Sequence, residues 1–82
     1  MYTLVYSDKS LKQLEKFEKK LQERIIASLE RCRILPHTHA KKLVGNLYYS
    51  LRVGDYRIIL DIKNNELQIL VIEIGHRKNI YD

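Results

Sequence analysis

This 82-residue chain has few of the residues that cross-link or interrupt a polypeptide: one cysteine, one proline and three glycines. A single cysteine excludes an internal disulfide and suits a reducing compartment, so we expect a cytoplasmic protein. No apolar run approaches the roughly 20 residues that a membrane-spanning helix needs. The first residues also lack the charged-then-apolar profile of a signal peptide. We therefore expect no contact with a membrane.

Acidic residues are in deficit, because 10 of them face 15 lysines and arginines and leave a formal charge of +5. The basic residues are spread along the chain, whose length predicts one domain over residues 1–82. Such a charge favours an acidic partner, nucleic acid first. His37 and His39 lie two apart, but no cysteine pair and no third nearby histidine completes a zinc site. We expect no metal and no other cofactor.

Neither glycine nor proline occurs from Asp8 to Leu35. Within that range, apolar residues recur three or four apart, as on one side of a helix: Leu11, Leu14, Phe17, Leu21, Ile25, Leu29 and Cys32. One helix of this length would run about 40 Å, whereas such a domain has a radius of gyration of about 12 Å. We therefore predict a break near Lys19-Lys20, two antiparallel helices and a helix end at Pro36. A short strand, Tyr2–Tyr6, precedes them, and a loop is predicted from Pro36 to Asn46.

Two strands joined at Gly54-Asp55 form the most distinctive stretch, because this dipeptide accepts the positive φ angles of a tight hairpin. Such a turn places Arg52 opposite Arg57, although like charges directly opposite each other destabilise a sheet. Either the two arginines hold an anion between them, or both guanidinium groups point apart into water. The alternation of side chains predicts one apolar face, made of Leu47, Tyr49, Leu51, Tyr56, Ile58, Leu60 and Ile62.

A second turn is predicted at Lys63–Glu66, followed by an apolar strand over residues 67–74. If Lys63 pairs with Glu66, then Ile58 meets Val71 and Arg57 meets Ile72. The face that carries the two arginines would then also carry Ile59, Leu70, Ile72, Ile74 and His76. That face is too apolar to be bare, so we expect a protein partner or a substrate base to cover part of it. The predicted fold is α+β: one N-terminal strand, a two-helix antiparallel hairpin and a three-stranded antiparallel meander, forming one sheet.

Two segments of the chain resemble the RelE/ParE toxin superfamily. One is the run from Lys42 to Ile59, KLVGNLYYSLRVGDYRII, and the other is the ending from Ile74 to Tyr81, IGHRKNIY, which is similar to the RelE branch. The resemblance implies a microbial-RNase-like fold and a toxin of a type II toxin–antitoxin pair. It also implies cleavage of mRNA in the ribosomal A site without a metal. The implied partners are ribosomal RNA, mRNA and a small RelB-like antitoxin in a hetero-oligomer.

Metal-free RNA cleavage needs a base for the ribose 2′-OH, an acid for the leaving 5′-oxygen and cations for the charge that grows on the phosphate. By the resemblance, Arg57 and Arg77 match the two catalytic arginines. Tyr81 matches a C-terminal tyrosine that stacks on the mRNA base and assists proton transfer. Arg52 corresponds to a basic hairpin position. The residues expected to bind RNA are Arg52, Lys41, Lys42 and Tyr48.

The chain departs from some members of the superfamily on the strand that enters the hairpin. Those members carry two lysines, one of them proposed as the general base, where this chain has Tyr48 and Ser50. Tyrosine ordinarily titrates near about pH 10 and makes a poor base at neutral pH. Histidine exchanges protons near neutrality, and His76 is adjacent to Arg77. We therefore hypothesise that His76 and Tyr81 share the acid and base roles.

Other interpretations of these residues stay open. A ParE-like protein shares the fold but inhibits DNA gyrase by binding, and it does not need Arg57, Arg77 and Tyr81 for RNA chemistry. A degenerate toxin that only binds its antitoxin is also compatible with the missing lysines. The arginines, and Lys41 with Lys42, would then be solvated surface charges.

Overall fold

The computed structural model describes residues 1–76, which form three α-helices and one five-stranded sheet with the strand order β1-β5-β4-β3-β2. The helices are α1 (Asp8–Glu15), α2 (Lys19–Cys32) and α3 (Pro36–His39). The strands are β1 (Thr3–Tyr6), β2 (Lys41–Lys42), β3 (Tyr49–Val53), β4 (Tyr56–Lys63) and β5 (Gln68–His76). The predicted α+β class is confirmed. The sheet has one strand more than predicted, because α3 and β2 lie within the segment that was predicted to be a loop.

The long helical segment is interrupted between Glu15 and Lys19, close to the predicted break. Ser7 caps α1 by accepting the N–H of Ser10 at 3.0 Å. The prediction that α2 ends at Pro36 is wrong, because it ends at Cys32 and Pro36 instead opens α3. The first turn of a helix tolerates proline, since its missing N–H would have no partner there. None of the described helices has the length and apolarity that crossing a bilayer needs.

The core lies between the helices and one face of the sheet. From the helices come Leu14, Ile25, Leu29 and Cys32, and from the sheet Leu51, Val53, Ile58, Leu60, Ile62, Ile69, Val71 and Ile74. This arrangement confirms the predicted helical stripe and the predicted apolar sheet face, with two exceptions. Leu11 is 46% exposed, and Leu47 is 80% exposed because β3 begins only at Tyr49.

The hairpin of β3 and β4 has the predicted register. Gly54 takes a φ of +59°, in the region that glycine favours. Arg52 is paired with Arg57, Val53 with Tyr56 and Leu51 with Ile58. Because side chains alternate along a strand, Ser50, Arg52 and Arg57 face away from the core residues between them.

The predicted register of β4 and β5 is wrong. The connection is a single 3₁₀ turn, Asn64–Glu66, followed by Leu67 in the left-handed conformation, so Lys63 pairs with Gln68. A β-bulge at residue 72 then shifts the register again and places Arg57 opposite Gly75. Past the bulge the alternation of faces is reversed. Ile74 is therefore in the core at 1% exposure and not on the arginine face, and His76 pairs with Tyr56.

Residues of α1 and its N-cap cover the outer edge of β5 beyond the end of β1. The hydroxyl of Ser7 donates to the carbonyl of Ile72 at 2.6 Å, and Gln13 Oε1 accepts the N–H of Ile74 at 2.6 Å. Lys9 Nζ lies 3.3 Å from Glu73 Oε2. The contacts of Ser7 and Gln13 satisfy backbone groups that an edge strand would otherwise expose. They also fix α1 beside the bulge.

Candidate anion-binding site

A basic face forms where β2, β3 and β4 lie side by side. Strand β2 extends the sheet beyond β3 and pairs Lys41 with Ser50. Ser50 lies on the same face as Arg52, which in turn is paired with Arg57. Three adjacent strands thus bring together Lys41 and Arg57, which lie 16 positions apart in the sequence. The result is a concentration of positive charge on the side of the sheet that faces away from the core.

These strands and the end of α3 enclose a cleft of about 350 Å³, which we call the arginine cleft. Its polar lining comprises His39, Lys41, Lys42, Ser50, Arg52 and Arg57, and its apolar wall is formed by Leu43 and Val44. Among the described residues, no aspartate or glutamate lines it. Four permanent or near-permanent cations therefore surround a space that contains no protein counter-charge from this part of the chain. Such an arrangement favours an anion.

The two arginines are held differently. Arg57 is half-buried, and its Nη1 donates to the hydroxyl of Ser50 at 3.4 Å. Arg52 is exposed, and its Nε donates to the carbonyl of Gly54 at 3.2 Å. Both side chains line the same cleft. Planar guanidinium groups can each donate two hydrogen bonds to the oxygens of one phosphate.

The structure separates the two histidines of α3. His37 Nε2 lies 2.8 Å from Asn64 Oδ1, and its ring packs edge-on against Tyr49 with the centroids 5.3 Å apart. His39 instead lines the arginine cleft. Within residues 1–76, no group of three histidine, cysteine, aspartate or glutamate side chains could hold a metal ion. His39 is thus a site residue that the sequence analysis missed. The pairing of Lys41 with Ser50 brings His39 to the cleft. That pairing could not be predicted, because a strand of two residues has no recognisable sequence pattern.

His76 lies on the opposite face of the sheet from the arginine cleft. Its ring contacts Tyr56 with the centroids 5.3 Å apart, and Tyr56 in turn contacts Phe17 at 5.1 Å. The expectation that His76 shares a face with Arg57 is therefore wrong, and the cause is the bulge in β5. Its predicted catalytic role stays a prediction, as do those of Arg77 and Tyr81, which lie outside the described residues.

The predicted RNA-binding residues are only partly brought together. Lys41, Lys42 and Arg52 line the arginine cleft, but Tyr48 is not among the described residues that do so. It belongs to the loop before β3, where its N–H donates to Asn46 Oδ1 at 2.9 Å. Its side chain is 38% exposed.

Comparisons with known proteins agree with this fold. The family model for the ParE toxin of type II toxin–antitoxin systems, parDE, matches residues 4–81. A protein of Escherichia coli that is named as RelE-like toxin is 28% identical over 80 residues, which cover 94% of this chain and 84% of that protein. The chain is similar to one in the intact E. coli RelBE toxin–antitoxin complex, with 25% identity, a TM-score of 0.81 and coverage of 93% and 96%. It is also similar to one in the RelB–RelE antitoxin–toxin complex of Methanococcus jannaschii, with 28% identity, a TM-score of 0.74 and 95% coverage of both chains.

Proposed function

This chain belongs to the ParE toxin family of type II toxin–antitoxin systems, within the RelE/ParE superfamily, and we propose that it is a ribosome-dependent mRNA endoribonuclease of the RelE type. The observation that carries the proposal is the pairing of Arg52 with Arg57 in a cleft with no carboxylate among its described lining residues. A toxin that acts only by binding a protein has no RNA chemistry for which it needs these two guanidinium groups. A toxin that cleaves RNA needs them for the phosphate.

In the proposed reaction, the arginine cleft binds the scissile phosphate of the A-site codon. The ribose 2′-oxygen attacks phosphorus, the bond to the 5′-oxygen breaks, and a cyclic 2′,3′-phosphate remains. Negative charge grows on the non-bridging oxygens during this step, and Arg57 and Arg52 stabilise it. Arg57 is held by Ser50, so its guanidinium is preorganised for this charge. The ribosome holds the mRNA so that the 2′-oxygen is in line with the bond that breaks. The small cleft alone does not impose this orientation.

Proton transfer needs a side chain that can lose its proton, and arginine cannot. The arginine cleft contains three such groups, His39, Lys41 and Lys42. Lys41 lies directly opposite Ser50, one of the two positions where some members of the superfamily carry lysine. We propose that His39 and Lys41 exchange the protons, with His39 as the base and Lys41 as the acid. The alternative hypothesis assigns the same roles to His76 and Tyr81.

We further propose that a RelB-like antitoxin binds this chain in a hetero-oligomer and silences it in the cytoplasm. Support comes from the similar toxin chains of E. coli and M. jannaschii, which were solved in complexes with RelB antitoxins. A cleft that favours anions would accept an acidic side chain of an antitoxin in place of a phosphate.

Primer-extension mapping of an mRNA translated in extract tests the proposal. The parent protein should create new ends inside A-site codons, and Arg57→Ala should abolish them. The matched control is Lys63→Ala, which removes one exposed positive charge at the end of β4 away from the hairpin and should cleave like the parent. Intact mRNA with both active translation and a folded parent protein would contradict the proposal. Inhibition of DNA gyrase under those conditions would indicate the ParE-like alternative.

The pH profile of cleavage separates the two assignments of proton transfer. We expect His39→Gln and Lys41→Gln each to lower the rate, and His39→Gln to change the profile between pH 5 and 9, because histidine exchanges protons in that range. His76→Gln should keep the profile of the parent. If His76→Gln changes the profile while His39→Gln and Lys41→Gln do not, the alternative assignment is correct.

A further inference from the structure

A second cleft lies at the tip of the hairpin, between the β3–β4 turn and α2. It has a volume of about 320 Å³, and we call it the hairpin-tip cleft. Arg24, Ala27, Ser28 and Arg31 lie at positions i, i+3, i+4 and i+7 of α2, so they share one side of the helix. The small side chains of Ala27 and Ser28 leave room between the two arginines. Arg52, Val53 and Gly54 close the cleft from the hairpin.

Three guanidinium groups line this cleft. Nη2 of Arg24 lies 3.2 Å from the point where a Cβ on Gly54 would be. Arg52 donates to the carbonyl of the same glycine at 3.2 Å. Arg31 donates through Nη2 to the hydroxyl of Ser28 at 3.1 Å. Arg24 and Arg52 are thus gathered around one backbone position.

The positive charge of the hairpin-tip cleft has no compensation from the described part of the chain. Neither ion pair found there involves Arg24, Arg31 or Arg52, and no carboxylate is among the described residues that line the cleft. Bringing cations together without a counter-charge is unfavourable, and a bound anion reverses the sign of that interaction. The planar fork of arginine matches the oxygens of a phosphate in particular.

Arg52 connects the two clefts, because it lines both the arginine cleft and the hairpin-tip cleft. An extended polyanion that fills the arginine cleft can therefore continue into the hairpin-tip cleft while it stays in contact with positively charged side chains. We propose that the hairpin-tip cleft binds a phosphate of the same RNA strand whose scissile phosphate lies in the arginine cleft. The proposal rests on the proposed function, since that function supplies the strand. It assigns to Arg24 and Arg31 the role of holding the RNA beyond the codon that is cut.

Binding of single-stranded DNA tests this proposal without ribosomes and without cleavage, because DNA lacks the 2′-OH. We would compare a dinucleotide, whose single phosphate cannot occupy both clefts, with a hexanucleotide. Backbone amide NMR shifts report which cleft is occupied, through Gly54 and Ser28 on one side and Ser50 on the other. The variants are Arg31→Ala, with Arg24→Gln as a second change in the same cleft, and Lys63→Ala as the control of equal charge.

For the hexanucleotide, we expect both sets of amides to shift together with one affinity. Arg31→Ala should weaken its binding by about tenfold, as expected for one charge-assisted contact. The same change should make the plot of log binding constant against log salt concentration less steep by about 0.7, the contribution of one phosphate of a single strand. Arg31→Ala should bind the dinucleotide with the affinity of the parent. Lys63→Ala should bind the hexanucleotide with the affinity and salt slope of the parent.

The inference is overturned if the hexanucleotide shifts only the Ser50 side, or if Arg31→Ala and Arg24→Gln leave its affinity and salt slope unchanged. Absence of binding to the parent at low salt also overturns it. So does a loss in these variants that appears only with an antitoxin, because the hairpin-tip cleft would then be a protein site. Any of these results together with normal mRNA cleavage by the parent leaves the proposed function standing.

Discussion

Arg52 and Arg57 lie directly opposite each other on neighbouring strands, with both side chains on the face of the sheet that turns away from the core. Like charges at such positions destabilise a sheet by roughly 0.2–1 kcal/mol. The hairpin that carries them is otherwise well formed, with a glycine at the turn and apolar pairs on its other face. We infer that this repulsion lowers the stability of the fold and is retained because the two arginines form an anion site.

Replacing Arg52 by glutamine should therefore stabilise the fold while it weakens RNA binding. Removal of the repulsion should raise the free energy of unfolding by roughly 0.2–1 kcal/mol at low salt. The gain should shrink as salt screens the two charges in the parent. Urea unfolding at two salt concentrations measures both effects, with Lys63→Gln as the control for a general loss of charge. A destabilised Arg52→Gln protein would show that the hydrogen bond to Gly54 outweighs the repulsion.

The two described glycines with positive φ offer a matched pair of substitutions. Gly45 has a φ of +70° with nothing within 4 Å of an added Cβ, whereas Gly54 has a φ of +59° with Arg24 at 3.2 Å. Both changes to alanine should lower the free energy of unfolding by about 1–2 kcal/mol through backbone strain. Gly54→Ala should lower it further because the Arg24 side chain must move. Urea unfolding of Gly54→Ala with and without Arg24→Ala tests this, since the double variant should return to the level of Gly45→Ala.

The amide of Gln13 is the hydrogen-bond partner of the Ile74 N–H just past the bulge. Truncation to alanine leaves that N–H without its acceptor at the covered edge of β5. We expect Gln13→Ala to lower the free energy of unfolding by about 1–3 kcal/mol. Gln13→Glu keeps an acceptor at the same position and should lose much less. Equal losses in the two variants, measured by urea unfolding at pH 7, would contradict the importance of this hydrogen bond.

Stability should fall at alkaline pH because a buried thiol and a partly buried phenol resist ionisation. Burial raises the pKa of the Cys32 thiol. Burial and the nearby carboxylate of Glu30 raise the pKa of Tyr6, against a smaller opposing effect of Arg33. Both groups are neutral when protonated, so a raised folded pKa stabilises the protein fully below the unfolded pKa values of about 8.5 and 10. That stability is lost as pH rises above them, with a limiting slope of about 1.4 kcal/mol per pH unit for each group.

Unfolding in urea between pH 7 and 10 checks this expectation. Cys32→Ala lowers stability at every pH because it leaves a cavity in the core, so the informative quantity is the slope with pH. That slope should be smaller in Cys32→Ala than in the parent between pH 8 and 10. Tyr6→Phe should reduce it near pH 10. Parallel curves for the parent and both variants would show that neither group is responsible.

The first hairpin could be predicted from the sequence and the second turn could not, for a physical reason. Gly54-Asp55 is a strong local signal, and it fixed the pairing of Arg52 with Arg57 correctly. At the second turn, a non-glycine residue, Leu67, takes a φ of +50°, which local preferences disfavour. The bulge that follows lies beside α1, whose Gln13 accepts the N–H of Ile74 from 61 positions away in the sequence. No pattern within β5 carries that information.

The same limit explains the differences at the candidate site. The resemblance to the superfamily indicates Arg57 and Arg52 as candidate site residues, and the predicted hairpin pairs them as the structure does. His76 was placed on the wrong face because a β-bulge reverses the alternation of side chains. His39 was missed because β2 is only two residues long, and only its pairing with β3 brings the end of α3 to the arginine cleft.

The most direct test of the account is the single-turnover rate of A-site mRNA cleavage on programmed ribosomes, measured for the parent, Arg57→Lys and Arg57→Ala. Arg57→Ala should lose at least about 100-fold in rate, comparable to the removal of one preorganised donor from an oxyanion site. Arg57→Lys should recover only part of this loss, because lysine keeps the charge without the planar fork. Cleavage by Arg57→Ala at the parent rate, with the protein folded and bound to the ribosome, would contradict the account.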